Sequence, residues 1–142
     1  MLSGSPKYLL SKLQSIQNAA AKMIYGIPRF SEVDPSLEKL HWLPIKFRIN
    51  YKLLLICYKC LNGLGPTYLS ELFVPYQPSR QLRSCAANYL AEQKTSTKTF
   101  GDRAFSTAAT RLWNSLPQTV RSATSLNSFK RCLKTHFFQM CF

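Results

Sequence analysis

Nineteen lysines and arginines against six carboxylates leave few kinds of chemistry open to this 142-residue chain. Metal-dependent phosphoryl transfer needs clustered acids to hold divalent ions. The acids here are Glu32, Asp34, Glu38, Glu71, Glu92 and Asp102, and none follows Asp102. Asp34 before Pro35 and Asp102 after Gly101 read as helix N-caps rather than as members of a carboxylate pair. No G-x-S-x-G nucleophile elbow, P-loop or G-x-G-x-x-G turn occurs. The sequence therefore assigns no catalytic residue, no cofactor and no small-molecule substrate.

Cysteine and histidine raise the question of zinc. Cys57 and Cys60 form a C-x-x-C, and Cys132, His136 and Cys141 carry ligand-like spacings. The first pair lies inside an apolar helical stretch without the glycine-rich turn of a zinc knuckle, where free cysteine behaves as a small buried hydrophobe. No metal site is assigned. Five cysteines are an odd set, and the first thirty residues lack the apolar run of a signal peptide. Reduced thiols inside the cell, in nucleus or cytoplasm, are expected. No stretch approaches 18 apolar residues, so no membrane span is expected.

What remains is positive charge. The net charge of +13 and a pI near 9.9 point to a polyanionic partner. Arg48, Lys52 and Lys59 fall on one face of a predicted helix, with Tyr51 and Tyr58 beside them, so that cations can meet phosphates and rings can stack on bases. Lys130, Arg131 and Lys134 form a second patch. The competing explanations are structural: a solvated face whose lysine stems cover apolar surface, and cations placed toward a helix C-terminus. Met1 to Arg29, acid-free with three lysines and one arginine, has the composition of a mitochondrial transit peptide, or of an amphipathic core helix in a generally basic protein.

The elements that must position these residues are helical. Prolines and glycines divide the chain into five or six short helices, an all-α class. The first is predicted over Lys7 to Tyr25, with Leu9, Leu13, Ile16, Ala20 and Ile24 on its buried face, ended by Gly26 and Pro28. A short helix follows Asp34-Pro35. The third runs from Ile45 to Leu61, burying Ile49, Leu53, Ile56, Cys57, Cys60 and Leu61. Thr67 caps a short helix reaching Phe73. Residues 74–99 read as a basic, proline-containing extended connector, with Ala86 to Leu90 as a short strand or helical turn. A fifth helix is predicted over Asp102 to Ser115 and a last one over Ser125 to Met140, burying Leu126, Phe129, Leu133, Phe137 and Met140. The organisation is thus 1–73, 74–99 and 100–142, together one small domain or domain fragment.

A string of short motifs carries a resemblance. These are Leu13-Gln14-x-Ile16-Gln17-Asn18-Ala19-Ala20, Leu40-His41-Trp42-Leu43-Pro44 with Arg48-Ile49, and Leu61-Asn62-Gly63-Leu64-Gly65-Pro66-x-Tyr68-Leu69. They continue with Arg80-x-Leu82-Arg83-Ser84, Gly101-Asp102-Arg103-Ala104-Phe105, Leu112-Trp113-Asn114-Ser115-Leu116-Pro117 and Phe129-Lys130-x-x-Leu133-Lys134. In order and spacing the chain resembles the C-terminal region of the reverse-transcriptase polyprotein of non-LTR, LINE-type retrotransposons, over about Lys7 to Phe142. Gly65 and Thr110 stand where that family leads one to expect alanine and proline. The resemblance implies a helical segment downstream of the polymerase, without the paired aspartates or the endonuclease, in what looks like a truncated copy. It implies nucleic-acid association for the basic residues, with a polymerase core domain as a further partner, and supplies no catalytic residue. It also implies that the acid-free N-terminus is an interior helix.

Overall fold

The computed structural model describes residues 4–77, 88–93, 101 and 104–142. Seven helices are found among them: α1 (Lys7–Tyr25), α2 (Asp34–Lys39), α3 (Ile45–Leu61), α4 (Thr67–Ser70), α5 (Phe105–Ser115), α6 (Gln118–Arg121) and α7 (Leu126–Cys141). The all-α class is the observed one. The additional helix is α6, a single turn after Pro117, too short to carry a periodic signal.

Local chemistry sets most of the helix ends. Gly26 closes α1 in the left-handed region (φ 61°), which glycine enters without the steric penalty of a Cβ. Prolines at 6, 44, 66 and 117 stand just before α1, α3, α4 and α6, where a missing N–H costs nothing. The side-chain caps expected of Asp34 and Thr67 are absent: each is the first residue of its helix, preceded by Val33 and Pro66. Ser125 does cap α7, its Oγ accepting from the Ser128 N–H at 3.2 Å. The turn after α3 folds back so closely that a Cβ on Gly65 would meet Cys60 Sγ at 2.9 Å and the Cys60 backbone N and Cα at 3.2 Å. Alanine would need a backbone shift there. Thr110 is buried within α5, where proline would remove a helical hydrogen bond.

The core is centred on α3, which packs against α1, α4, α5 and α7. α3 buries Leu53, Leu54, Cys57, Tyr58 and Cys60, a wider arc than the predicted stripe, because partners lie on several sides; Ile49, Ile56 and Leu61 are half-buried. At the centre, Tyr58 stacks on Phe129 of α7 (4.2 Å, 18°), and Trp113 of α5 lies 5.8 Å from the same ring. The Tyr58 hydroxyl donates to the Ala123 carbonyl (3.0 Å). On α7, Phe129, Leu133 and Phe137 are buried as expected, whereas Met140 is exposed.

The buried face of α1 is rotated from the expected one, with Leu13 and Ala20 of the predicted face half-buried. Its buried residues are Gln17 and Ala21; Leu9, Ile16 and Ile24 of the predicted buried face are exposed, and so is Met23 (Ile16 by 67%, Met23 by 81%). No α1 side chain belongs to the main apolar cluster. Buried Ala21 and two glutamine amides attach the helix. Gln17 Nε2 donates to the Leu43 carbonyl (3.0 Å), and the Ile45 N–H donates to Gln14 Oε1 (2.8 Å).

Within the predicted connector, residues 74–77 and 88–93 are described. They meet in an antiparallel bridge, with Tyr76 N–H to Tyr89 O at 2.9 Å and Ala91 N–H to Val74 O at 2.8 Å. Asn114 braces the returning segment by accepting from the Leu90 N–H and donating to the Leu90 carbonyl, both at 2.9 Å. The Ala86–Ala87 part of the predicted strand, and the Arg80–Ser84 and Asp102–Arg103 motif residues, lie outside the described residues.

Candidate nucleic-acid interface

The loop between α2 and α3 builds one wall of the site. His41 takes a left-handed backbone (φ 53°), a conformation that costs a non-glycine residue about 1 kcal/mol. Main-chain bonds hold this turn, with His41 N–H to Glu38 O and Trp42 N–H to Leu37 O, both at 2.9 Å. Leu43 is thereby buried, and α3 begins directly after Pro44. The Gln14 and Gln17 amides of α1 fix this same junction, so two of the sequence motifs, Leu13–Ala20 and Leu40–Pro44, are in contact.

The first turns of α3 build the floor and α7 the opposite wall. Arg48, Tyr51 and Lys52 stand at i, i+3 and i+4 on α3, on one face. Together with Lys134 of α7 and with His41, Trp42 and Leu43 of the loop they line a cleft of about 360 Å³. Arg48, Lys52 and Lys134 are exposed, and Tyr51 and Trp42 are half-buried. Burial pushes the Tyr51 phenol up, so it enters the site as a neutral ring. Phe138 supports the wall: His41 meets it edge-on (5.8 Å), and Lys134 Nζ lies 5.6 Å from its ring centroid. Among the described residues no carboxylate lines the cleft. Three cations around an aromatic-walled groove can neutralise consecutive phosphates while a flat group rests on the rings.

The six predicted cations do not form one surface. Arg48, Lys52 and Lys134 converge. Lys59 sits in the last turn of α3, half-buried, about 10 Å further along the axis from Lys52 by helical rise, where it complements the helix C-terminus. Arg131 lines a different groove, between α6 and α7, and Lys130 is half-buried and lines neither. Tyr58 is a correction: at 2% exposure, stacked on Phe129, it is a core residue and offers no ring to a base. An α3 buried on several sides hides this from a helical wheel. Trp42 and His41 are the cleft residues that sequence reasoning did not assign to the site. Trp42 beside a proline-ended turn, six residues before Arg48, is the signal that could have found them.

Metal ligation is not supported by the cysteines. Cys57 and Cys60 are buried, and burial pushes both thiols up, away from the thiolate a metal requires. Among the described residues no three His, Cys, Asp or Glu side chains group closely enough to hold an ion, and no helix is long and apolar enough to cross a membrane. Compared with known proteins, the chain matches no family model, no curated protein and no solved structure.

Proposed function

We propose that this chain is a non-catalytic nucleic-acid-binding segment, the C-terminal part of a reverse transcriptase of the LINE type, that holds RNA or DNA through phosphate contacts in the cleft between α3, α7 and the α2–α3 loop. The observation that carries this reading is the convergence of Arg48, Lys52 and Lys134 around Tyr51 and Trp42 with no acid among the described residues of the lining. Recognition is electrostatic and largely independent of sequence, because side-chain cations read phosphate and rings accept any base. Titration with labelled single-stranded RNA at several salt concentrations tests it. Three phosphate contacts on a single strand give a log–log salt slope of about −2. The triple variant Arg48→Gln, Lys52→Gln, Lys134→Gln flattens that slope. Tight binding with an unchanged slope in the variant would refute the assignment.

A second reading is favoured by α1, whose outward side carries Leu9, Ile16 and Met23 at seven-residue spacing, followed by the 96%-exposed Phe30. Such a face suits a segment that packs on a polymerase core domain. Ile16→Glu with Met23→Glu, both outside the core, is expected to leave the melting midpoint unchanged and to abolish association with a core domain supplied in trans. Retained association would rule this face out.

A further inference from the structure

Arg121 is the residue whose environment is least satisfied. It lies at the end of α6 and is only 5% exposed. A guanidinium keeps its proton in proteins, so a full positive charge is buried there. Its compensation is slight. The group stacks on Tyr89 with its central carbon 3.9 Å from the ring centroid, and one Nη donates a long 3.4 Å bond to the Asn114 carbonyl. Nε is sealed from solvent and has no hydrogen-bond partner, and no ion pair to Arg121 is formed among the described residues. Buried charges are ordinarily paired, because the solvation they lose is not otherwise replaced.

The space beside this cation is open. Arg121 forms part of the wall of a cavity of about 360 Å³, within the size range of small-ligand pockets. Tyr89 gives it an exposed ring, Asn62 and Ser122 give it hydrogen-bonding groups, and the buried Tyr58 and Trp113 close it from beneath. It shares no lining residue with the basic cleft. The Trp113 indole N–H is committed to the Asn88 carbonyl (2.8 Å) and the Tyr58 hydroxyl to Ala123, so neither competes for a ligand in the cavity.

We propose that this cavity binds a small oxyanionic ligand, a carboxylate or a phosphate, whose charge rests against Arg121 and whose body lies beside Tyr89, Asn62 and Ser122. Such a group supplies a counter-charge that no described residue provides, and its paired oxygens match the planar guanidinium. The site is independent of the nucleic-acid reading.

Thermal melts of the full chain in phosphate, benzoate and chloride at equal ionic strength test the proposal. In the wild type, phosphate or benzoate raises the midpoint by about 4 °C over chloride once the ligand is tenfold above its dissociation constant. Arg121→Met removes the increment and, lacking the uncompensated charge, melts no lower than the wild type in chloride. A response to phosphate alone assigns a phosphate ligand, a response to benzoate alone a carboxylate, and a response to both the shared oxyanion chemistry. An equal rise in wild type and variant, or no rise in either, overturns the proposal. Should Arg121→Met fail to fold, amide and indole chemical shifts of the wild type decide. Phosphate- or benzoate-dependent shifts confined to Asn62, Trp113 and Ser122–Thr124 support the site, and their absence rejects it.

Discussion

Two tyrosines seven residues apart on α3 separate the roles of site and core. Tyr51 lines the cleft, and Tyr58 lies against Phe129 with its hydroxyl on the Ala123 carbonyl. Tyr51→Leu keeps the apolar bulk and removes the ring, and is expected to weaken single-stranded RNA binding about tenfold, the scale of one lost base–aromatic stack. Tyr58→Phe deletes one hydrogen bond and is expected to cost about 1 kcal/mol in a denaturant melt, leaving RNA affinity unchanged. Equal effects of both substitutions on affinity would contradict the assignment. From sequence the two tyrosines look alike, since each flanks the cations of one helix. Only the arrival of α5 and α7 over the second half of α3 makes one of them interior.

At the scale of elements, most helix ends were legible and the faces were less so. Gly26, Pro44, Asn62-Gly63 and Pro117 act through their own backbone preferences, which need no tertiary partner, and the observed bounds of α1 and α3 follow them. The buried side of α1 depends instead on what it meets. The junction entering α3 offers main-chain groups, the Leu43 carbonyl and the Ile45 N–H, so glutamine amides face inward and isoleucine and methionine face out. A hydrophobicity pattern cannot report such a preference. Gln17→Ala leaves the Leu43 carbonyl without its donor in a buried position, and a loss of about 1–3 kcal/mol is expected in a denaturant melt. Ile16→Ala, on the outward side, is expected to change stability by less than about 0.5 kcal/mol.

At the scale of the whole molecule, the core joins the middle of the sequence to its C-terminal part: Leu53, Leu54 and Tyr58 from α3 close against Ala109 and Trp113 of α5 and Phe129 and Leu133 of α7. An interior shared across some eighty residues of chain, from Leu53 to Leu133, is expected to melt in one cooperative transition, by calorimetry and circular dichroism alike. Non-coincident transitions would favour an inert remnant over a binding segment. The cleft was legible only in part for the same reason. Arg48, Tyr51 and Lys52 are neighbours along one helix, whereas Lys134, more than eighty residues away, joins them through packing alone.

The attachment of α1 through two glutamines has a kinetic counterpart. A helix outside the main apolar cluster is free to detach without the core opening, so its amides are set to exchange with solvent deuterium well before those of α3, α5 and α7. The same two amides hold the backbone on which Trp42 sits. If RNA occupies the cleft as proposed, it is expected to favour the attached position of α1 and to slow deuterium exchange there, and unchanged exchange on adding RNA would sever that link.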